Sequence, residues 1–110
     1  MILIVGGSYQ GKTKFARDNF GQANYLNQFH LFVKKRMEEG MTEEEILGQI
    51  FEMCSEGKWV IIADEIGSGV VPANAWDRQL REWTGRILIE IAREAEEVYR
   101  VVCGIGRRIK

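Results

Sequence analysis

Residues 1–5 are apolar without a break, and so are residues 59–63. Continuous apolar runs of this length are the mark of strands covered on both faces, and the two strands are expected to lie side by side. A third strand is predicted over 97–103, where Val98, Tyr99, Val101 and Val102 supply β-branched and aromatic side chains ahead of Gly104 and Gly106. Residues 23–26 form a shorter candidate. Between these runs the apolar period changes from continuous to helical. Helices are predicted over 12–20 and 28–39. A third opens at Thr42-Glu43-Glu44-Glu45, a capping-box pattern, carries Ile46, Leu47, Ile50, Phe51 and Cys54 on one side, and stops near Gly57. The recurrence of Trp76, Leu80, Trp83, Ile87 and Ile91 at three or four residues predicts a long helix over 74–95, its tryptophans serving the core or a subunit interface. Helices alternating with buried strands yield parallel pairing through right-handed crossovers, hence an α/β fold.

The 110 residues, 45% of them hydrophobic, suffice for one core, so a single domain over 1–110 is expected. A formal net charge of −1 offers no field for nucleic acid, and no apolar stretch has the length of a membrane span or signal peptide, so a cytoplasmic protein is expected. Cys54 and Cys103 lack metal-ligand spacing and read as small core residues, with no disulfide between them. His30, the single histidine, stands in an apolar stretch and reads as a packed or surface residue. Pro72, the single proline, precedes the long helix, where it removes no ladder bond.

The chemistry concentrates after the first strand. Residues 6–13, Gly-Gly-Ser-Tyr-Gln-Gly-Lys-Thr, match G-x-x-x-x-G-K-[ST] between a buried strand and a helix. Gly6, Gly7, Ser8, Tyr9, Gln10 and Gly11 would turn backbone N–H groups onto phosphate oxygens at a helix N-terminus. Lys12 would reach the β- and γ-phosphates as a mobile charge, and the Thr13 hydroxyl would enter the coordination shell of Mg²⁺. Asp64, at the end of the 59–63 strand, has the placement of the carboxylate that binds Mg²⁺ in phosphate-loop enzymes, and Glu65 beside it is the candidate to orient or deprotonate an attacking hydroxyl. The glycine-bearing loop 66–72 is expected to cover a substrate, and Arg78, Arg81 and Arg86 are candidate cations on the long helix, where arginines ordinarily form a solvated face. The expected architecture is therefore a phosphate-loop NTPase-like, three-layer fold with a small parallel sheet of three or four strands.

Two blocks of the chain resemble the bifunctional adenosylcobinamide kinase and adenosylcobinamide-phosphate guanylyltransferase family of cobalamin biosynthesis. The opening twelve residues are similar to that family's opening. In the second block, Glu65-Ile-Gly-Ser-Gly-Val-Val-Pro-Ala-Asn resembles its Glu-Val-Gly-x-Gly-Ile-Val-Pro-x-Asn, Arg81-Glu-Trp-Thr-Gly-Arg resembles its Arg-Asp-x-x-Gly-Arg, and Glu97-Val-Tyr-Arg-Val-Val-Cys-Gly-Ile-Gly resembles its final strand. The middle departs. Family members are longer, with an insert carrying a guanylylated histidine between two arginines; His30 lacks that setting, so the resemblance does not extend to guanylyl transfer. Asn27 stands where the family has a carboxylate, Asp64 where it has Asn, and Ile87-Leu88 where it has Asn-Gln.

The resemblance implies a kinase that uses ATP or GTP with Mg²⁺ to phosphorylate an alcohol, with a corrinoid such as adenosylcobinamide as acceptor and a homo-oligomer, a trimer, as assembly. Lys12 and Glu65 are the expected catalytic residues, and Thr13 and Asp64 the expected metal ligands. Two other readings stand beside it: a nucleotide-binding module without transferase chemistry, and a kinase for an unrelated small alcohol. Base preference is not legible, because the phosphate loop reads phosphates.

Overall fold

A computed structural model describes residues 1–65 and 74–110. The chain runs β1 (Ile2–Gly6), α1 (Lys12–Phe20), β2 (Asn24–Leu26), α2 (Phe29–Glu38), α3 (Glu43–Met53), β3 (Trp59–Asp64), α4 (Ala75–Glu94), β4 (Glu97–Val102) and β5 (Ile105–Arg108). The glycine-bearing loop 66–72 lies outside the described residues.

One sheet holds the strands in the order β2-β3-β1-β4-β5, with β1 central and parallel to both β3 and β4. The expected pairing of the two continuous apolar runs is present, in a register that sets Leu3 against Ile61 and Gly6 against Asp64. Because successive side chains leave a strand on opposite faces, the same runs build two cores. Leu3, Ile61, Ala63 and Val98 pack with Phe29, Val33, Ile46, Ile50, Ile87 and Ile91 of α2, α3 and α4. Ile2, Ile4, Val60, Ile62 and Val101 pack on the other face with Ala16, Phe15 and Phe20 of α1. Each fully buried Ile, Leu or Phe contributes about 1.5–3 kcal/mol. The result is helices on both sides of a sheet whose carboxyl edge gathers the ends of β1, β2 and β3.

The helix boundaries follow local chemistry. Thr42 caps α3 reciprocally: its hydroxyl accepts from the Glu45 N–H at 3.2 Å, and its own N–H donates to Glu45 Oε1 at 3.0 Å. Asn74 caps α4 by accepting the Asp77 N–H at 2.7 Å. Along α4, Ile87 and Ile91 are buried, Leu80 and Trp83 pack partly against the core, and Trp76 stays exposed.

The sheet carries four parallel strands and one more. Antiparallel β5 returns beside β4 through a two-residue turn in which Cys103 and Gly104 have φ of 50° and 76°. Positive φ at both positions is the type I′ geometry that matches strand twist. Cys103, expected in the core, is exposed in this turn, because a residue at the tip of a two-residue hairpin has no covering layer. Cys54 is half-buried against the core, and burial pushes its thiol pKa up. Among the described residues, no helix is long and apolar enough to cross a membrane.

Candidate functional site

The loop between β1 and α1 is held open by close contacts on both sides. Gly6 ends β1 so near β4 that a Cβ there would lie 2.5 Å from the Val101 carbonyl oxygen. Gly11, at φ 84°, enters α1 in the left-handed conformation and leaves its first turn without a side-chain cap. The turn of the β4–β5 hairpin braces the loop from outside. The Gly104 N–H donates to the Gln10 carbonyl, and the Cys103 N–H to Gln10 Oε1, each at 2.7 Å.

Lys12 is 8% exposed although charged, and its ammonium makes two hydrogen bonds. It donates to the Gly7 carbonyl and to Asp64 Oδ1, both at 2.7 Å. The Ser8 hydroxyl donates to the other Asp64 oxygen at 3.2 Å. Desolvation pushes the Asp64 carboxyl pKa up, but the Lys12 hydrogen bond and charge together with the Ser8 hydroxyl outweigh it and hold the group below its ordinary value. The Gly6–Asp64 register of β1 and β3 is what delivers this carboxylate to the loop.

Thr13 faces the same space. Its hydroxyl accepts from Asn27 Nδ2 at 3.2 Å, while Asn27 Oδ1 accepts the Gln28 N–H at 2.8 Å. Asn27, which follows β2, thus ties the first turn of α1 to the start of α2. Ser8, Tyr9, Gly11, Lys12, Thr13, Asn27, His30 and Asp64 line one cavity of about 380 Å³. Tyr9, at φ 59°, is fully exposed at its rim.

Helix ends explain what this cavity attracts. The two helices that start here, α1 and α2, have no side-chain cap and no acidic residue in the first turn. The two that start elsewhere, α3 and α4, have both. The positive ends of two helix dipoles therefore converge on one opening that Lys12 also lines, an arrangement chemically suited to an anion. For Mg²⁺, the oxygens of Thr13 and Asp64 are hard donors of the right kind. Among the described residues no group of three His, Cys, Asp or Glu could hold a metal, so phosphate oxygens and water would complete its shell.

Glu65 faces elsewhere. Its two oxygens accept from Arg100 Nε at 2.6 Å and Nη2 at 3.2 Å, and it lines a neighbouring cavity of about 410 Å³ with Ser8, His30, Asp64, Asp77, Leu80, Arg81 and Thr84. Of the arginine candidates, Arg81 reaches this second cavity, and Arg86 is engaged by Glu43 at 2.7 Å on the far side of α4. Glu65 and Asn74 flank the segment of the resemblance block that lies outside the described residues.

Four contributions were not legible in the pattern. They are the brace from the hairpin, the tie through Asn27, the clamp from Arg100 and the place of His30. His30 lines both cavities, and among the described residues its buried Nδ1 has no hydrogen-bond partner. An unpaired buried polar atom costs about 1–3 kcal/mol. The sequence signal for His30 was its uniqueness; its apolar neighbours Phe29 and Val33, which are buried, hid it.

The model of the cobinamide kinase / cobinamide phosphate guanyltransferase family matches residues 23–109. The bifunctional adenosylcobalamin biosynthesis protein CobU of Salmonella typhimurium is 39% identical over 75 residues, 67% of this chain and 41% of that protein. The protein of the same name from Escherichia coli K12 is 42% identical over 53 residues, 48% of this chain and 29% of that protein. The matched stretch thus spans less than half the length of either relative. A family model covering most of the chain, joined to a phosphate-loop α/β sheet, establishes the resemblance read from the motifs: the chain belongs to the cobinamide kinase / cobinamide phosphate guanyltransferase family.

Proposed function

We propose that this protein binds ATP or GTP with Mg²⁺ and transfers the γ-phosphoryl group to an alcohol, as a kinase of the cobinamide kinase type in cobalamin biosynthesis. The observation that carries the reading is the convergence of two uncapped helix N-termini, the Lys12 ammonium, the Thr13 hydroxyl and the Asp64 carboxylate on one cavity. On nucleotide binding Lys12 exchanges its bonds to Gly7 and Asp64 for phosphate oxygens. Asp64, released from the ammonium, and Thr13 would hold Mg²⁺, which would supply positive charge beside the transferring phosphoryl group. The hairpin brace holds the loop at Gln10, which limits the reorganisation its backbone N–H groups need as charge develops.

The neighbouring cavity is the acceptor side. Glu65, clamped by Arg100, keeps lone pairs free to accept a hydrogen bond from an acceptor hydroxyl and orient it. A cavity of about 410 Å³ admits an alcohol-bearing arm and leaves the bulk of a corrinoid outside. Residues 1–110 act in this reading as one nucleotide-binding domain, assembled as the homo-oligomer, a trimer, that the resemblance implies. The test is transfer of labelled γ-phosphate from ATP or GTP to adenosylcobinamide. Label that stays on nucleotide, with the acceptor present in excess, refutes the acceptor assignment.

One observation favours a second reading. Both Glu65 oxygens are already paired with Arg100, which suits a nucleotide-binding module without transferase chemistry. Glu65→Gln separates the two. The kinase loses turnover and keeps nucleotide affinity, whereas the module has no turnover to lose.

A further inference from the structure

Among the described residues, the phosphate-loop cavity and its neighbour share Ser8, His30 and Asp64, so these side chains form the wall between them. Two of the three are committed. Asp64 accepts from Lys12 and from Ser8, and the Ser8 hydrogen is used in that bond. His30 is not. Among the described residues its buried Nδ1 meets no hydrogen-bond partner. Whichever ring nitrogen carries the hydrogen, an imidazole always has at least one N–H to donate, and His30 lines both cavities. His30 also sits in the first turn of α2, the helix whose uncapped N-terminus faces the same opening. The wall therefore presents a committed carboxylate, a committed hydroxyl and one imidazole that makes no hydrogen bond among the described residues.

We propose that His30 is a ligand of the terminal phosphoryl group, donating a hydrogen bond from its imidazole where that group lies between the nucleotide cavity and the acceptor cavity. The inference rests on the nucleotide reading above and adds a residue that the phosphate-loop pattern does not contain. A donor at this position distinguishes a triphosphate from a diphosphate, since only the former reaches the wall.

The test uses the full chain, whose single histidine makes its imidazole resonances assignable without mutation. Mg²⁺ with a non-hydrolysable triphosphate, AMP-PNP, is compared with Mg²⁺ and ADP, while the Gly11 and Lys12 backbone amides report nucleotide in the loop. The expected result is that both nucleotides move the amides and only AMP-PNP moves the imidazole nitrogens. By calorimetry, His30→Leu is expected to shrink the preference for AMP-PNP over ADP about tenfold, the weight of one hydrogen bond to an anion, while His30→Gln, which keeps an N–H donor, retains it. Amides that move with AMP-PNP over a still imidazole overturn the role of His30 and leave nucleotide binding intact. Amides that ignore both nucleotides overturn both. Should His30→Leu fail to fold, the wild-type resonances still decide.

Discussion

Gly6 and Gly7 are adjacent, both glycine and both in the phosphate loop, yet the structure predicts opposite outcomes when each is replaced by alanine. A Cβ on Gly6 would lie 2.5 Å from the Val101 carbonyl oxygen and 3.3 Å from Lys12 Cδ. The first contact is short by roughly 0.8 Å of the closest ordinary carbon–oxygen approach. The obstacle is backbone, in a strand paired to β1 on one side and β5 on the other, so relief requires β4 to retreat from the centre of the sheet. Overpacking of this kind costs about 1–3 kcal/mol. For a domain of this size that corresponds to a fall in Tm of about 4–12 °C. Among the described residues, a Cβ on Gly7 would meet only Gln10 Cγ, at 3.6 Å, an ordinary contact. Its expected effect is within about 2 °C, as for an unstrained surface change. Thermal unfolding followed by circular dichroism reads both variants. Equal melting of Gly6→Ala and wild type, or a larger loss in Gly7→Ala than in Gly6→Ala, would refute the packing argument.

Asp64→Asn is expected to be less stable than wild type near neutral pH and to approach it in acid. The folded carboxyl pKa is held below its ordinary 3.8, so the charged group contributes stability above that value and loses it as pH falls through the depressed one. Urea unfolding at about pH 7 and about pH 3 checks the sign, and a gap that widens on acidification contradicts it. Thr42→Ala removes the reciprocal cap of α3 and should lower stability by about 1 kcal/mol without changing nucleotide affinity, read by melting and calorimetry on the same sample. Gln10→Ala takes away the acceptor of the Cys103 N–H. Amide hydrogen exchange at Cys103 should then quicken and triphosphate affinity fall, whereas unchanged exchange would mean that the hairpin does not brace the loop.

The elements that local pattern could reach were reached. Residues 1–5 and 59–63 are strands because an unbroken apolar run is stable only when both faces are covered. Their parallel pairing follows from the helices that must cover them. Thr42 and Glu45 close α3 through atoms three residues apart, a distance at which sequence and geometry are nearly the same thing. β5 escaped because Ile105-Gly-Arg-Arg does not alternate, and Cys103-Gly104 is not among the dipeptides that announce a hairpin. It exists because β4 offers it an edge.

Sequence alone determined that this protein is α/β, that a phosphate-type loop follows its first strand, and that an acidic pair ends a second one. These are properties of periodicity and of short motifs, which depend on neighbours a few residues away. Only the tertiary structure decided that Asp64 meets Lys12, 52 positions distant, while Glu65 turns aside to Arg100. Only it brought His30 into the wall between two cavities. Those meetings are set by strand register and by the order of strands in the sheet. A shift of one residue in the pairing of β1 with β3 would exchange the faces of every side chain and carry Asp64 away from the loop.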